Sequence, residues 1–402
     1  MVQKDFGTIR ISRRRALAGA GTTAVALAMI GASSTVAWAA SGESIGATGL
    51  IGYLYVNGNT PGANTVVGFA RKADGTLSML PGSPFSVGGV GSGTALGSQG
   101  ALQLSADRRF LLAVDGGSNQ ISVLRIQSDG SLSPVAGSPF PSNGIKPVSI
   151  AVHGNLVYVA NAGPGGSNYT GFTIRTDGVL QPIAGSTVSL PDDSGVGDVL
   201  IDPFGRYLIG IRVNTSLIDS FTIGSGGLLA AAPGSPIAAQ AAGPFGSVFR
   251  VSNPPQLFVS NAHAGAGNGS VSAYTVAVDG TLQAIGTSPY PDQQTAPCWV
   301  ALEPDMRYLF AANAGSDSIS SYSVAADGTL SLVGSTALRD GPGLGTFDLG
   351  LDPAGRYPYQ VDGNKREINA LAVTGGSLSE IASSPISLGL SANAVPSGVA
   401  II

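Results

Sequence analysis

Two aspartates make the strongest case for chemistry in this sequence. Asp198, in Gly197-Asp198-Val199, and Asp348, in Phe347-Asp348-Leu349, stand at the same place in two copies of a repeated pattern, three copies apart. Carboxylates converging on one cavity can hold a hard divalent cation, or one of them can act as a general base. The plainer alternative is that each caps a strand end in solvent. His263, in Asn261-Ala262-His263-Ala264-Gly265, adds an imidazole that changes charge near neutral pH, unless it is simply a solvated loop residue. Arg212 stands where the other six copies carry Asn57, Asp115, Asn161, Asn261, Asn313 and Asp362. Short polar side chains there tie down turns. An arginine in their place is a candidate to grip a carboxylate or phosphate, or else to pair with a nearby acid such as Asp198. Trp299 and Ser247 complete the set as substrate-contacting candidates, although a core position between repeats is the better reading of Trp299. The catalytic candidates are thus Asp198, His263 and Asp348, and the substrate-binding candidates Arg212, Trp299 and Ser247. His153, in His153-Gly154-Asn155, reads as a turn residue of the opposite face, and the single cysteine, Cys298, as a small buried thiol.

These residues are positioned by a repeat. Its clearest copy is Arg307–Ser335, with apolar Tyr308–Ala312, alternating Ile319–Val324 and short Leu330–Val333 separated by Asn-Ala-Gly-Ser-Asp and Asp-Gly-Thr. Such runs bounded by Gly, Asn and Asp are antiparallel hairpins. The turn x-Gly-x-Leu recurs with leucines at 77, 132, 180, 228, 282, 330 and 378, spaced 55, 48, 48, 54, 48 and 48 apart by subtraction. Most copies follow it with a Gly-Ser-Pro or Ser-Pro echo. A leading strand precedes six copies: Ala101–Ser105, Val148–Val152, Asp198–Asp202, Ser247–Val251, Trp299–Glu303 and Asp348–Asp352. The seventh is missing at the front and present at the back, where Pro396–Ile402 matches a leading strand. Three strands cannot cover their own apolar faces, so the copies must stack. The expectation is an all-β, seven-bladed β-propeller of four-stranded antiparallel blades spanning 50–402, with the strand 397–402 pairing into the first blade to close the ring. Loops that lead into the inner strands and loops that follow the second strands then share one face around the channel.

Composition agrees: 11% charged residues, 59 glycines and 25 prolines suit many short strands and turns rather than helices. Ser12-Arg13-Arg14-Arg15-Ala16-Leu17, the mild apolar run 18–32 and Ala37-Trp38-Ala39 read as a twin-arginine secretory signal over 1–39, followed by a linker at 40–49. Export to the bacterial envelope or exterior follows as an expectation, with no membrane span in the mature chain. That segment carries five basic residues against Asp5, so its removal takes the net charge from −4 to −8. No run of more than two Lys or Arg remains, which excludes a nucleic-acid partner. One cysteine excludes an intrachain disulfide and a cysteine metal cluster. Neither a Ser-His-Asp set nor a phosphate-cradling loop is present, and no organic cofactor is implied.

Tyr-Leu-Phe-Ala-Ala-Asn at 308–313, Leu-Val-Tyr-Val-Ala-Asn at 156–161, the Asp-Gly-Thr-Leu turns and Asp-Pro-x-Gly-Arg-Tyr at 202–207 and 352–357 together resemble the lactonase-type seven-bladed propellers. That family includes bacterial 6-phosphogluconolactonases and is similar to fungal carboxymuconate cycloisomerases. The resemblance covers roughly Leu50 to Ile402. It implies a monomer acting on a small lactone or sugar-derived ligand at the channel. The family's histidine at the start of a leading strand has no counterpart here: the matching positions include Lys146-Pro147-Val148, Pro297-Cys298 and Pro396-Ser397. Two functions remain open: an exported lactone hydrolase or isomerase, and a non-catalytic propeller that binds a glycan, peptide or wall component.

Overall fold

The computed structural model describes residues 49–339, 341 and 345–402. The expected leader at 1–39, and the linker up to residue 48, lie outside them. Among the described residues seven antiparallel sheets form, six of them from strands in chain order and the first completed by the last strand of the chain. The sixth shows the plan: Pro297–Leu302, Tyr308–Asn313, Ser318–Val324 and Leu330–Ala337. Alternating small and branched residues suit a pleated surface packed on both faces, and Leu309 to Asn313 are all buried.

The outermost strand is usually broken in two. In the second blade Leu132–Pro134 and Phe140–Pro141 both pair with Gln120–Ile126. The break falls on the Gly-Ser-Pro echo, where Ser138 Oγ accepts the Val123 N–H at 2.9 Å in place of a ladder carbonyl. Ser83, Ser235, Ser288 and Ser384 do the same in their blades. In the sixth blade Ser335 Oγ instead shares a hydrogen bond with Ser320 Oγ (2.9 Å), and the outer strand runs on unbroken to Ala337 with a bulge at Ser321/Tyr322.

Two motifs explain each other across blades. The Asp-Gly turn holds its glycine at positive φ (Gly75 at 83°, Gly130 at 81°), a conformation that favours glycine. The same glycine lets an aromatic of the preceding blade lie on the turn: a Cβ on Gly130 would stand 2.4 Å from the Tyr53 ring, and one on Gly75 2.4 Å from the Tyr357 ring. Tyrosine hydroxyls fasten the contact, Tyr55 to Gly130 O at 2.8 Å and Tyr359 to Gly75 O at 2.9 Å. The core lies between sheets, as where Phe110 and Val123 meet Val157, Val159 and Val199 of the next two blades.

The ring closes as the sequence predicts. Val399–Ile401 pairs antiparallel with Leu50–Asn57, in the register Leu54↔Ile401, Tyr55↔Ala400, Val56↔Val399. Backbone hydrogen bonds extend the pairing from Ser397 to Ile402. Arg71, buried to 3% exposure, reaches from the first blade to Asp352 of the last (3.3 Å) and to Ile402 O (3.1 Å).

Five of the inner strands begin earlier than the sequence pattern predicts. They are Pro147–His153, Val196–Ile201, Pro244–Arg250, Pro297–Leu302 and Thr346–Leu351. Each starts with a register shift just before Ser149, Asp198, Ser247, Trp299 or Asp348. A bulge breaks the two-residue alternation that sequence reading relies on.

Candidate functional site

The bulges aim the chemistry. A bulge re-directs the side chain beside it, and here it turns that side chain toward the next blade. Inner-strand N–H groups facing the channel have no ladder partner and need another acceptor. Val199 N–H bonds to Ser149 Oγ (3.1 Å), Ser247 N–H to Asp198 Oδ2 (2.9 Å), and Val399 N–H to Asp348 Oδ2 (2.9 Å). Asp348 Oδ1 also takes the Leu349 N–H at 2.8 Å. Asp198 is further held by the Ser247 hydroxyl on Oδ2 (2.5 Å) and, more weakly, by Ser149 Oγ on Oδ1 (3.2 Å). Both aspartates are almost fully enclosed, at 2% and 4% exposure. Burial pushes each up to about 7, against the bonds that favour ionisation, and the Asp198 charge adds to the rise at Asp348.

The channel is crossed at one end by residues 98–100. This segment leads into the second blade's inner strand, yet it bonds to four others. Ser98 Oγ donates to Val148 O, and Trp299 Nε1 donates to Ser98 O, both at 2.8 Å. Gln99 N–H donates to Gly197 O (3.0 Å), and Gln99 Nε2 to Ser247 O (2.8 Å). Gln99 Oε1 accepts the Val300 N–H at 2.9 Å. The carboxamide fits because residue 246 is glycine: a Cβ there would stand 2.2 Å from Gln99 Oε1. Gly100 O accepts the Ile150 N–H at 2.9 Å. So the aspartates do not stand open at a channel mouth, as the repeat alone implied: both are buried, and Asp198 lies beneath the plug.

Under the plug is a cavity of about 260 Å³, its polar wall made by Gln99, Gln103, Asp198 and Ser247. Asp198 and Ser247, each a candidate from its place in the repeat, meet here, while Asp348, expected to face Asp198, is not part of this cavity's lining. Asp198 and Asp348 are the acids a channel cation would use; among the described residues no three His, Cys, Asp or Glu side chains gather.

The other candidates fall elsewhere. Arg212 is spent on Asp219, Nε to Oδ2 at 2.7 Å and Nη2 to Oδ1 at 2.5 Å, and Tyr169 OH donates to the same carboxylate at 2.9 Å. The partner is neither a ligand nor Asp198. It follows a rule of the hairpin: residues seven apart pair across it, as Asn57–Asn64, Asp115–Ser122, Asn161–Asn168 and Asn313–Ser320 also do. Arg212–Asp219 is the charged version of that pair. His263 is exposed beside Gly243, outside the cavity, its backbone N–H bonded to Ala242 O at 3.1 Å. Trp299 is buried between Phe245 (5.2 Å, edge-on) and Phe347 (6.0 Å), which makes it core rather than a ligand wall. Cys298 is buried and its thiol pushed up to about 12, an inert state.

Gln99, Gln103 and Ser149 escape a sequence reading. One signal was present: the first repeat interval is 55 rather than 48, and the surplus of seven residues (55 − 48) lies before Ala101. Nothing in the spacing says that the surplus folds into the channel.

The fold and site define a class: a closed seven-bladed propeller with a buried acid facing a small channel cavity. Within that class, residues 236–377 match the family described as "Lactonase, 7-bladed beta-propeller", which bears out the resemblance read from the repeats. A structure described as a "putative 6-phosphogluconolactonase" of Bacteroides uniformis superposes with a TM-score of 0.71 at 20% identity, over 88% of this chain and 100% of that one. The periplasmic gluconolactonase of Pseudomonas aeruginosa gives 0.69 at 18% identity, over 87% and 99%. A protein of Lactobacillus plantarum gives 0.68 at 19%, over 88% and 99%. At these identities the likeness establishes the fold. No curated protein matches the chain.

Proposed function

We propose that this chain is an exported lactone hydrolase that opens a small lactone in the cavity beneath Gln99. The observation that carries the reading is the placement of Asp198, raised to about 7, on the wall of the channel cavity beside the Ser247 hydroxyl. Oδ1 holds the longer of the carboxylate's side-chain bonds and is the oxygen best placed to take a proton from water. Ionised Asp198 removes that proton as the water oxygen bonds to the lactone carbonyl carbon. The tetrahedral intermediate collapses by breaking the ring C–O bond, and the departing alkoxide takes the proton back from Asp198, giving the hydroxy acid. Ser247 positions the carboxylate. The twin-arginine-type segment at 12–17 supports export.

A panel of γ- and δ-lactones tests the reading, scored by acid release from the purified mature chain. D198N should lower kcat at least about 100-fold, the usual scale of a general base, and kcat/KM of the wild type should rise with pH through about 7. Equal turnover by D198N removes Asp198 from the chemistry. One observation favours a second reading, a non-catalytic small-molecule binder: the carboxylates of Asp198 and Asp348 already serve strand N–H groups. A chain that opens no lactone in the panel but binds one reversibly decides for it.

A further inference from the structure

The channel cavity beneath Gln99 has a polar wall at one end and aliphatic side chains at the other. We infer that its ligand is an uncharged ring bearing an apolar substituent, and that it enters from the end of the channel opposite the plug. This rests on the reading of the cavity as the site of a small cyclic ligand and adds the class and the route.

The near end is fastened to four blades through Ser98, Gln99 and Gly100, so access there requires breaking several bonds together. The cavity continues instead along the far halves of the inner strands, past Val152, Leu200, Ile201, Val248 and Phe249. Val152, Leu200, Ile201 and Val248 are partly exposed there. These side chains suit a hydrocarbon group and offer no hydrogen bond. No Lys, Arg or His is among the described residues lining the cavity. The basic residues next to it in sequence point elsewhere: Arg250 bonds Gln256 Oε1 and Ala325 O, and His153 lies against Gly205. A phosphorylated or carboxylated ligand would therefore enter without a counter-charge, beside Asp198, and burying an unpaired anion is costly. At about 260 Å³ the cavity falls below the roughly 300–1,000 Å³ that holds drug-sized ligands, which limits the occupant to one ring and a short tail.

The test measures binding separately from turnover, with lactams as non-hydrolysable stand-ins. An alkyl-substituted δ-lactam, gluconolactam and its 6-phosphate are titrated into the full mature chain by calorimetry. The alkyl lactam should bind at least about tenfold more tightly than either sugar lactam. V248K, placing an ammonium at the far rim, should shrink the preference against the phosphate; V152K serves the same purpose, and thermal midpoints identify the folded variants. Tighter binding of either sugar lactam, or a preference unmoved in a folded variant, overturns the inference. The wild-type titrations decide the ligand class whatever the variants do. If alkyl lactam binds as expected while no lactone is opened, the hydrolase reading fails and this one stands.

Discussion

Asp198 should make the protein less stable as pH rises, and removing its charge should abolish that part of the loss. The carboxyl moves from 3.8 to about 7 on folding, with burial as the dominant cause. Between those values the folded chain holds a proton that the unfolded chain has released, so stability must fall with rising pH. The contribution is fully present below pH 4 and gone above about 7. A shift of about three units at ~1.4 kcal/mol each is worth about 4 kcal/mol over the whole window. Between pH 5 and pH 8 it is about 2.5 kcal/mol, because at pH 5 part of the loss has already occurred. With about 2.1 cal/mol/K of unfolding entropy per residue over roughly 350 residues, that corresponds to a midpoint change of about 3 °C. Asp348 and Glu303, both raised to about 7, and Asp115, raised to about 6, add to the same trend. The informative quantity is therefore the difference between wild type and D198N, read from thermal midpoints at pH 5 and pH 8. Wild type should lose about 3 °C more than D198N across that interval. Parallel curves would show that Asp198 is not a buried acid with a raised affinity for protons, and the general-base proposal would lose its footing as well.

Three further outcomes follow from the contacts. R212A should cost about 3–5 kcal/mol, because it leaves Asp219, at 2% side-chain exposure, as an unpaired buried charge; R212A/D219N should recover much of it in urea melts, and a neutral single mutant would return Arg212 to the list of ligand contacts. Deleting 397–402 removes the inner strand of the first blade together with the Ile402 carbonyl that Arg71 holds. The truncated chain should lose its cooperative melt or aggregate in size-exclusion chromatography, and an unchanged melt would refute closure by this strand. Q99A strands the Val300 N–H and Ser247 O, at about 1–3 kcal/mol for each buried group left unpaired. It should lower the thermal midpoint and admit ligand from the plugged end; an unchanged midpoint would mean the plug does not brace the blades.

The strand count, the ring and its closure were legible in the sequence because they follow from local chemistry repeated seven times. An Asp-Gly turn demands positive φ wherever it occurs, a Ser-Pro echo breaks the outer strand wherever it occurs, and a solitary terminal strand with a vacancy at the other end of the chain has one place to go. The identity of Asp198 and Ser247 as channel residues was likewise available from their place in the repeat. What each channel residue touches was not. Arg212 meets Asp219 across its own hairpin, while Trp299 meets Phe245 and Phe347, and Asp198 meets Ser149 and Ser247, because a bulge at the start of five inner strands shifts the pleat and points side chains sideways, an event that alternation along one strand does not encode. The plug is the larger instance: the sequence announced seven surplus residues before Ala101, and only the closed ring, with Gly246 leaving room and unpaired N–H groups waiting at its inner edge, determined that Gln99 would fill the channel.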